Sequence, residues 1–515
     1  MDDVFYKIIT GNPEEVRRSL ERFSVNQYGN KSKFEELNKE NIRLDVWEAL
    51  FRQLSDETYS SVHSQCLATL RILSRDKTNL DDIITKEKLN AVLKNAGLAE
   101  AGREQSNPDV AVTIEAQKLL CNLLFNSINV QKMIVDTTYL THLIKRYSKH
   151  NESLPHEMKL FDIRILFLTT ALNVPTRSVV RDTFLGDTYL IKMLQEISNR
   201  YETIPIKEDD VNLACEILKT LFNLYIQLDD LTHKAEEKFK RLVSILRRLT
   251  LSQCETKKED LCSNIVNLLT VIPPKCYSLY MQPVQDDNCT DVYDNMDMSA
   301  VSVLLRFLDL RLEYKTDLIE NLCPIVTCLI RLAKGERLMR KFMRLQILPP
   351  LKDVMKRPEE GTSIRAKLCQ YLTSPITELR DLIAELLFII CKENVSRMIK
   401  YTGYGNAAGL FANKGLLGRQ QPKTEYSSES DDSETEEYTK YKEQINPVTG
   451  CYEKPKPNPL EGMSEEQKEY EAMQLVGLVD KLTREGVVHP CTIGEDGKPK
   501  PIGHVLELQN ELPKQ

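Results

Sequence analysis

A polar residue recurs at one place in a series of apolar helical runs, and the chemistry it offers is hydrogen bonding. Residues 118–122, 219–223 and 263–267 each end a largely apolar stretch with Asn. Residues 169–173 repeat the pattern more loosely, and residues 71–75 carry Arg at the final position. Asn amides with an Arg at one end can hydrogen-bond the backbone of a bound peptide.

We call five residues of this series the polar row and predict that they face a bound partner. They are Arg71, Arg75, Asn122, Asn223 and Asn267. The alternative is that the Asn amides satisfy neighbouring helix ends inside the core. A single Asn would favour that alternative, whereas four Asn at a repeat interval favour the binding interpretation.

The spacing of these positions indicates the elements that must carry them. Arg75, Asn122, Asn173, Asn223 and Asn267 are 47, 51, 50 and 44 residues apart. This is the period of repeats built from two or three helices. In such an array each repeat buries its apolar faces against its neighbours, and equivalent side chains align along one surface. The sequence therefore predicts an all-α, armadillo/HEAT-like solenoid.

Length and composition agree with a long helical protein that binds other proteins. A chain of 515 residues exceeds the usual size of one compact domain, so several domains or an open array are expected. The net charge of −7 does not favour nonspecific binding to nucleic acid or to an anionic membrane. No apolar run approaches the roughly 20 residues of a membrane span, and the N-terminus lacks the pattern of a signal peptide.

The 13 cysteines mostly lie inside apolar helical runs. They form no pair of Cys-x-x-Cys motifs, and Cys323 and Cys328 are too widely spaced for one. We interpret them as reduced core thiols of a cytoplasmic protein. We predict no metal site, no cofactor and no catalytic residue.

A basic cluster follows in the second half of the chain. Its members are Arg331, Lys334, Arg337, Arg340, Lys341 and Arg344. On base rates such a cluster is a solvated helix face. The sharper interpretation is that the polar row lines a partner-binding groove of the solenoid. Arg331, Arg340 and Lys341 would then lie at one end of this groove and bind carboxylates of the partner.

Gly403, Gly405 and Gly409 invite comparison with a nucleotide-binding loop. Their spacing is wrong for such a loop, they follow a helix instead of a strand, and no Gly-Lys-Ser/Thr motif occurs. Tight backbone packing at the end of the solenoid is the better explanation. We place this end at residue 418, so that the solenoid covers residues 1–418.

The composition changes after the solenoid. Residues 419–460 lack an apolar period and include an acidic stretch, which predicts a disordered linker. Ser428 and Ser433 each have an acidic residue three positions later, the pattern read by an acidophilic kinase; the alternative is a purely solvating linker.

Residues 461–515 form the predicted tail, with an amphipathic helix at about 464–485. The helix begins with the capping-box pattern of residues 464–467. Its apolar stripe includes Leu475, Val476, Val479 and Leu482. An isolated helix of this length is marginally stable, so we expect it to dock on the solenoid or on a partner.

Five segments closely resemble the synembryn family, the "resistance to inhibitors of cholinesterase" proteins. They are residues 71–76, 161–167, 347–354, 400–410 and 445–450. We include Phe161, from the second segment, among the candidate groove residues. The sequence departs from the family pattern at Asn173, where relatives often carry Arg, and after about Pro490.

The resemblance implies an activity that requires no covalent chemistry. It implies a solenoid that binds GDP-loaded α subunits of heterotrimeric G proteins, assists their folding and promotes nucleotide exchange without a receptor. Residues 445–450 and 458–463 resemble the A-type branch, which serves the inhibitory, q and 12/13 classes. The family also carries phosphorylatable residues at the places of Ser428 and Ser433, and it uses the tail helix to hold the G-protein domain.

The alternative function is a passive armadillo-type adaptor or scaffold without exchange activity. Both functions place the protein in the cytoplasm, and recruitment to the cell cortex is a further expectation. Deletion of the tail would distinguish the two functions, because a passive adaptor needs only the groove.

Overall fold

The structure is a computed structural model of the chain. It describes residues 3–26, 32–39, 41–99, 109–150, 154–226, 233–285, 290–417, 435–454, 459–494 and 496–503. These residues belong to two compact units, Met1–Ile272 and Pro273–Gln515. The stretch that we predicted as one solenoid over residues 1–418 is therefore divided between two units.

The first unit is built from helices. They are α1 (Asp3–Thr10), α2 (Pro13–Asn26), α3 (Glu35–Lys39), α4 (Ile42–Leu54), α5 (His63–Leu73), α6 (Leu80–Ile83), α7 (Lys86–Asn95), α8 (Val110–Asn126), α9 (Ile128–Met133), α10 (Tyr139–His150), α11 (His156–Leu172), α12 (Pro175–Ser178), α13 (Gly186–Arg200), α14 (Glu208–Tyr225), α15 (His233–Leu251) and α16 (Lys258–Leu269). Short 3-10 turns cover Glu57–Val62 and Ile134–Asp136, and a π turn covers Val179–Thr183.

Five of these helices, which we call the row helices, stack directly on one another. In chain order they are α5, α8, α11, α14 and α16, and each packs against the next. The other helices flank them, as α4 flanks α5 and α13 flanks α14. Successive row helices come from successive repeats, so this stacking confirms the predicted all-α solenoid and its period of about 50 residues.

Local signals explain where the helices begin. The Asn12 side-chain oxygen accepts hydrogen bonds from the Glu14 and Glu15 amides, both at 3.1 Å. The Asn12 backbone amide in turn donates to the Glu15 carboxylate at 3.0 Å. Together with Pro13 at the first helical position, this reciprocal cap fixes the start of α2.

The second unit combines helices with small strand pairs. Its helices are α17 (Ser299–Leu312), α18 (Leu318–Gly335), α19 (Arg337–Ile347), α20 (Ile364–Tyr371), α21 (Thr377–Ile390), α22 (Val395–Thr402), α23 (Tyr404–Asn413), α24 (Glu436–Tyr441) and α25 (Glu465–Arg484). Its strands are β1 (Gln282–Pro283), β2 (Val292–Tyr293), β3 (Met296–Asp297), β4 (Ile445–Asn446), β5 (Cys451–Tyr452), β6 (Cys491–Ile493) and β7 (Pro499–Pro501).

The helices α17, α19, α20, α22 and α23 each pack against α18 or α21, which contact one another directly. Among the strands, β3 lies between β1 and β2, while β4–β5 and β6–β7 are antiparallel pairs. The sequence did not indicate these strands, because runs of two or three residues are too short to show a period. No helix within the described residues is long and apolar enough to span a bilayer.

Part of the predicted disordered linker is packed, which corrects the assignment of residues 419–460. Residues 435–454 form α24 and the β4–β5 pair, and the Tyr452 amide donates to the Val354 carbonyl at 2.7 Å. The prediction was wrong here because this segment is ordered by contacts with distant residues and not by its own composition. Ser428 and Ser433 lie outside the described residues.

Candidate partner-binding site

The exposed side of the row helices carries a ladder of charges that links neighbouring repeats. The Arg71 Nε donates to the Glu115 carboxylate at 2.9 Å, which joins α5 to α8. The Lys118 ammonium lies 2.9 Å from the same carboxylate and 2.8 Å from Glu157 on α11. In this part of the ladder Glu115 therefore lies between two cations, and Glu157 lies next to one.

The next step of the ladder repeats the arrangement between α11 and α14. Arg164 and Lys219 contact the Glu216 carboxylate at 2.7 and 2.9 Å. The Glu216 side chain is only 5% exposed, whereas those of Arg164 and Lys219 are 38% and 34% exposed. Glu115, at 15%, and Glu216 are thus more deeply buried than the cations they contact, whereas Glu157 is exposed at 52%. The ladder therefore presents four partly exposed cations and one exposed acid to solvent.

Two half-buried aromatic rings lie among these cations. Lys118 and Arg164 both approach the Phe161 ring, each 5.4 Å from its centroid. Lys219 lies 4.6 Å from the centroid of Phe167. Contacts of this kind hold flexible basic side chains over an aromatic surface. The surface of the row helices therefore offers cations and aromatic rings together. This combination is suited to binding an amphipathic segment that carries acidic groups.

The Asn amides of the polar row bond to the preceding row helix. Asn122 Nδ2 donates to the Arg71 carbonyl at 3.0 Å and to Ser74 Oγ at 3.2 Å. These acceptors lie at the end of α5, whose last carbonyls have no partner within the helix. Asn122 thus satisfies the end of a neighbouring helix, as the alternative interpretation of the polar row expects. Its contact with a partner stays a prediction.

Asn223, two repeats further along the chain, makes equivalent bonds. Its Nδ2 donates to the Phe167 carbonyl at 3.3 Å and to Thr170 Oγ1 at 3.1 Å, and the residue is 8% exposed. Asn267 lies within α16 and is half-buried. Asn173, by contrast, lies just beyond the end of α11. The repeating Asn positions therefore do not all occupy one structural place.

A buried network that the sequence analysis missed holds the end of α5, where Arg71 and Arg75 lie. The Asp76 carboxylate accepts from the Phe34 amide at 2.9 Å, the Asn38 amide group at 3.0 Å and the Thr78 amide at 2.9 Å. Burial alone would raise the pKa of Asp76, but these bonds and the nearby Arg43 charge lower it to about 2.

Arg43, on α4, completes this network from the other side. Its guanidinium donates to the carbonyls of Leu73, Asp76 and Thr78 at 3.0, 2.5 and 2.7 Å. Burial lowers the pKa of Arg43, and the Asp76 charge opposes that shift. The sequence analysis singled out residues 71–76, which include Asp76, only for their family resemblance. It did not identify the residues that bond to Asp76.

A second buried network lies behind Phe161. The Asp162 carboxylate accepts from both Arg146, at 3.1 Å, and Gln117, at 2.5 Å. Arg146 also donates to the carbonyls of Ala96 and Gly97 at the end of α7. Burial raises the pKa of Asp162 to about 6, against the opposing effect of Arg146. This network fixes α11, and with it the position of Phe161.

Four members of the basic cluster are more buried than either interpretation of the sequence expected, whereas Lys334 and Arg337 are exposed. Arg340 is 9% exposed and donates to the Ala333 carbonyl at 2.8 Å. Arg344 is also buried and contacts the Tyr401 hydroxyl at 3.4 Å. Arg331, half-buried, donates to the Tyr277 hydroxyl at 3.2 Å. Lys341 is half-buried, and partner contacts of these side chains stay predictions.

The tail helix α25 is present, with the predicted capping box between Ser464 and Gln467. Leu475 is 62% exposed, whereas Val476, Val479 and Leu482 are half-buried. The predicted stripe omitted Leu478, which lies on the same side of the helix and is 54% exposed. The helix therefore keeps apolar surface available for a partner.

Two of the segments that carry the family resemblance, residues 400–410 and 445–450, meet in the second unit. The Tyr404 and Gly405 amides donate to the carbonyls of Pro447 and Val448 at 2.7 and 2.9 Å. A Cβ at Gly403 would lie 3.0 Å from the Val448 carbonyl. Gly403 and Gly405 thus allow the predicted tight packing, whereas a Cβ at Gly409 would meet no atom within 4 Å in the described part of the chain.

Comparison with known proteins identifies the family. Residues 66–498 match the Ric8 family, described as "Guanine nucleotide exchange factor synembryn". The Drosophila melanogaster protein "Chaperone Ric-8" is 37% identical over 537 residues, covering 94% of this chain and 93% of that protein. The Xenopus tropicalis "Chaperone Ric-8A" is 37% identical over 519 residues, covering 97% and 96%. The chain therefore belongs to the Ric8 family.

Proposed function

We propose that this protein is a non-receptor guanine nucleotide exchange factor and folding chaperone for α subunits of heterotrimeric G proteins. The family description and the relatives' names support both parts of the proposal. Among the structural observations, the cationic and aromatic surface of the row helices carries it. We propose that this surface receives the C-terminal helix of a GDP-bound α subunit.

The proposed mechanism is stabilisation of an opened α subunit. Binding of the C-terminal helix to the groove would draw that helix away from the nucleotide-binding core, and GDP would then dissociate faster. A hundredfold acceleration requires about 2.7 kcal/mol of preference for the opened state. A helix bound in a groove can supply this preference. Only binding energy is used, and no covalent step is needed.

Exchange also requires a second contact, which we assign to α25. Its exposed Leu475 and Leu478, together with the half-buried Val476, Val479 and Leu482, would hold the loosened nucleotide-binding domain. Once the groove is filled, this contact becomes intramolecular, which raises its effective concentration. A passive adaptor, the second candidate, would need the groove but not this helix.

The direct test is GDP release from purified monomeric α subunits with and without this protein. We propose the inhibitory, q and 12/13 classes as substrates, in the cytoplasm and at the cell cortex. Faster release supports exchange activity. Binding without faster release would instead identify a passive adaptor.

Substitution of Leu475→Asp with Val479→Asp is expected to slow GDP release at least about tenfold, roughly 1.4 kcal/mol. The charges would remove the apolar contact that stabilises the opened state. Binding of an isolated peptide with the sequence of the G-protein C-terminal helix should not change. Fluorescent GDP release and peptide titration measure the two effects.

A matched control is Tyr470→Asp with Met473→Asp, which places two charges on the opposite side of α25, where both residues are exposed. This control should leave release unchanged. Equal release by both variants and the wild type would show that the groove alone drives exchange.

Phosphorylation of Ser428 and Ser433 by an acidophilic kinase is expected to increase exchange activity severalfold. Each phosphate adds about −1.5 to −2 charge and pairs with Arg or Lys more strongly than a carboxylate does. We expect the phosphates to bind basic side chains and fix the path of the acidic segment. Kinase-treated protein with both serines replaced by alanine should be no more active than untreated protein. Equal activity of treated wild type and mutant would leave these serines only a solvating role.

A further inference from the structure

Two pairs of glycines with positive φ face each other in the second unit. Both members of the first pair precede the tail helix in the sequence, whereas the second pair has one member before the helix and one after it. The first pair is Gly403, with φ of 73°, and Gly450, with φ of 70°. A Cβ at Gly450 would lie 3.0 Å from the Gly403 Cα. The second pair is Gly415, with φ of 69°, and Gly497, with φ of 71°. Both close approaches require residues without side chains.

In the second pair, Gly497 lies in the turn of the β6–β7 hairpin and Gly415 lies just beyond the end of α23. A Cβ at Gly497 would overlap the Gly415 carbonyl, and a Cβ at Gly415 would lie 2.5 Å from the Asp496 carbonyl. The Leu417 amide donates to the Gly497 carbonyl at 3.2 Å. The hairpin therefore binds residues 415–417, just beyond the end of α23, by contacts between backbones.

The hairpin is held together by its own hydrogen bonds. Its strands pair Thr492 with Lys500, and the Ile502 amide donates to the Pro490 carbonyl at 3.0 Å. The Gly494 amide donates to the Lys498 carbonyl at 2.9 Å across the turn. The hairpin is thus a formed element that presents Gly497 to Gly415.

The tail helix lies between the two glycine contacts. Gly450 precedes its cap residue Ser464, and Gly497 follows its last residue Arg484. None of the residues of α25 is fully buried. Because none of its residues is buried, we expect the contacts on either side of α25 to contribute to its position.

We propose that residues 491–494 and 496–501 are a latch that closes on residues 415–417 and positions α25 for its partner. With the Gly403–Gly450 contact, the closed latch tethers the helix at both ends. Leu475 and Leu478 are exposed in this closed arrangement, so the partner can bind without release of the latch. Closing the latch lowers the conformational freedom that the helix must lose on binding.

The positioning role rests on the proposed function, whereas the latch itself does not. The simpler explanation of Gly497 is that the hairpin turn needs a left-handed residue. Gly462 provides a matched control, because its φ is 88° and a Cβ there would meet no atom within 4 Å in the described part of the chain. Alanine at either position carries the strain of a left-handed backbone, but only alanine at Gly497 overlaps Gly415.

The test compares Gly497→Ala, Gly415→Ala and Gly462→Ala in the full chain. Hydrogen exchange of the Leu417 amide, followed by mass spectrometry or NMR, reports on the latch directly. We expect exchange at least about tenfold faster in Gly497→Ala and Gly415→Ala, and unchanged in Gly462→Ala. The double variant at 415 and 497 should match either single one, because both remove the same contact.

The functional readout is GDP release from a monomeric α subunit. We expect it to fall about three- to tenfold in the two latch variants, with peptide binding to the groove unchanged. Unaltered Leu417 exchange would overturn the latch. Faster Leu417 exchange with undiminished GDP release would overturn its positioning role. If the wild-type protein does not accelerate GDP release at all, the proposed function and the positioning role both fail, while Leu417 exchange still decides whether the latch exists.

Discussion

Alanine at Asp76 is expected to lower the free energy of unfolding of the first unit by about 3 kcal/mol. The Asp76 carboxylate accepts three hydrogen bonds, from Phe34, Asn38 and Thr78, and it is 5% exposed. Its removal leaves these donors without their acceptor and takes away the carboxylate that faces the Arg43 charge. Loss of such a buried network is among the most destabilising single changes.

The only tryptophan of the chain, Trp47, is suited to measure this effect. It is fully buried in α4, the helix that carries Arg43, and stacks on Phe51 with 5.8 Å between ring centroids. Its fluorescence during urea denaturation should report on this end of the first unit. Asp82→Ala is the control, because Asp82 is exposed and its removal should change stability by less than about 0.5 kcal/mol. Equal stability of the two variants would contradict the structural role of Asp76.

The same network predicts a pH dependence with a definite sign. The folded pKa of Asp76 is about 2, below the 3.8 of an ordinary aspartate. The unfolded chain therefore binds the proton at higher pH than the folded chain does. The stability contributed by Asp76 is fully present above about pH 4 and is lost as the pH falls towards about 2. Asp76→Asn should remove this part of the pH dependence.

Alanine at Arg71 and at Arg75 is expected to weaken binding of the G-protein C-terminal peptide by about 1 to 3 kcal/mol for each side chain. Arg71 lies in the last turn of α5 and Arg75 lies just beyond its end. Burial, together with the Arg71 charge, lowers the pKa of Arg75. A cation that is already partly desolvated contributes more to an interface than a fully hydrated one does. Titration calorimetry or fluorescence anisotropy with the peptide measures the loss.

The fold should tolerate removal of Arg71, because Glu115 retains its contact with Lys118 at 2.9 Å. Arg18→Ala is the control for loss of one positive charge, since Arg18 is exposed on α2. Full peptide affinity in a folded Arg71→Ala, Arg75→Ala variant would exclude the proposed groove.

Asn122 needs a different design, because its amide supports the end of α5. Alanine there should lower the stability of the first unit by about 1 to 2 kcal/mol. If peptide binding falls only as far as the folded fraction does, the role of Asn122 is structural. A larger loss of affinity at a temperature where the variant is fully folded would support its contact with the partner.

The sequence predicted the features that depend on neighbours a few residues apart. The capping box between Ser464 and Gln467 acts within three positions, and it is present. The repeat period was visible because each repeat must solve the same packing problem with similar residues. Part of the tail stripe was also visible, although Leu478 was missed.

The uses of individual polar side chains could not be predicted in the same way. Arg340 looked like a surface or groove residue, yet it is buried and binds the end of α18. Residues 435–454 looked disordered because they lack an apolar period, but their backbone pairs with residues far earlier in the chain. In both cases the partner that decides the role lies in another element.

By itself, the sequence determined the helical repeats, the starts of particular helices and the resemblance to the synembryn family, because local hydrogen bonds and periodic apolar burial act along the chain. Only the tertiary structure decided which side chains join the repeats and which remain exposed. The Asn122 amide meets the Arg71 carbonyl across 51 residues, and the Asn223 amide meets Phe167 across 56. Such pairs form only when one repeat stacks on the next, so the packing of the helices settles how each polar group is used.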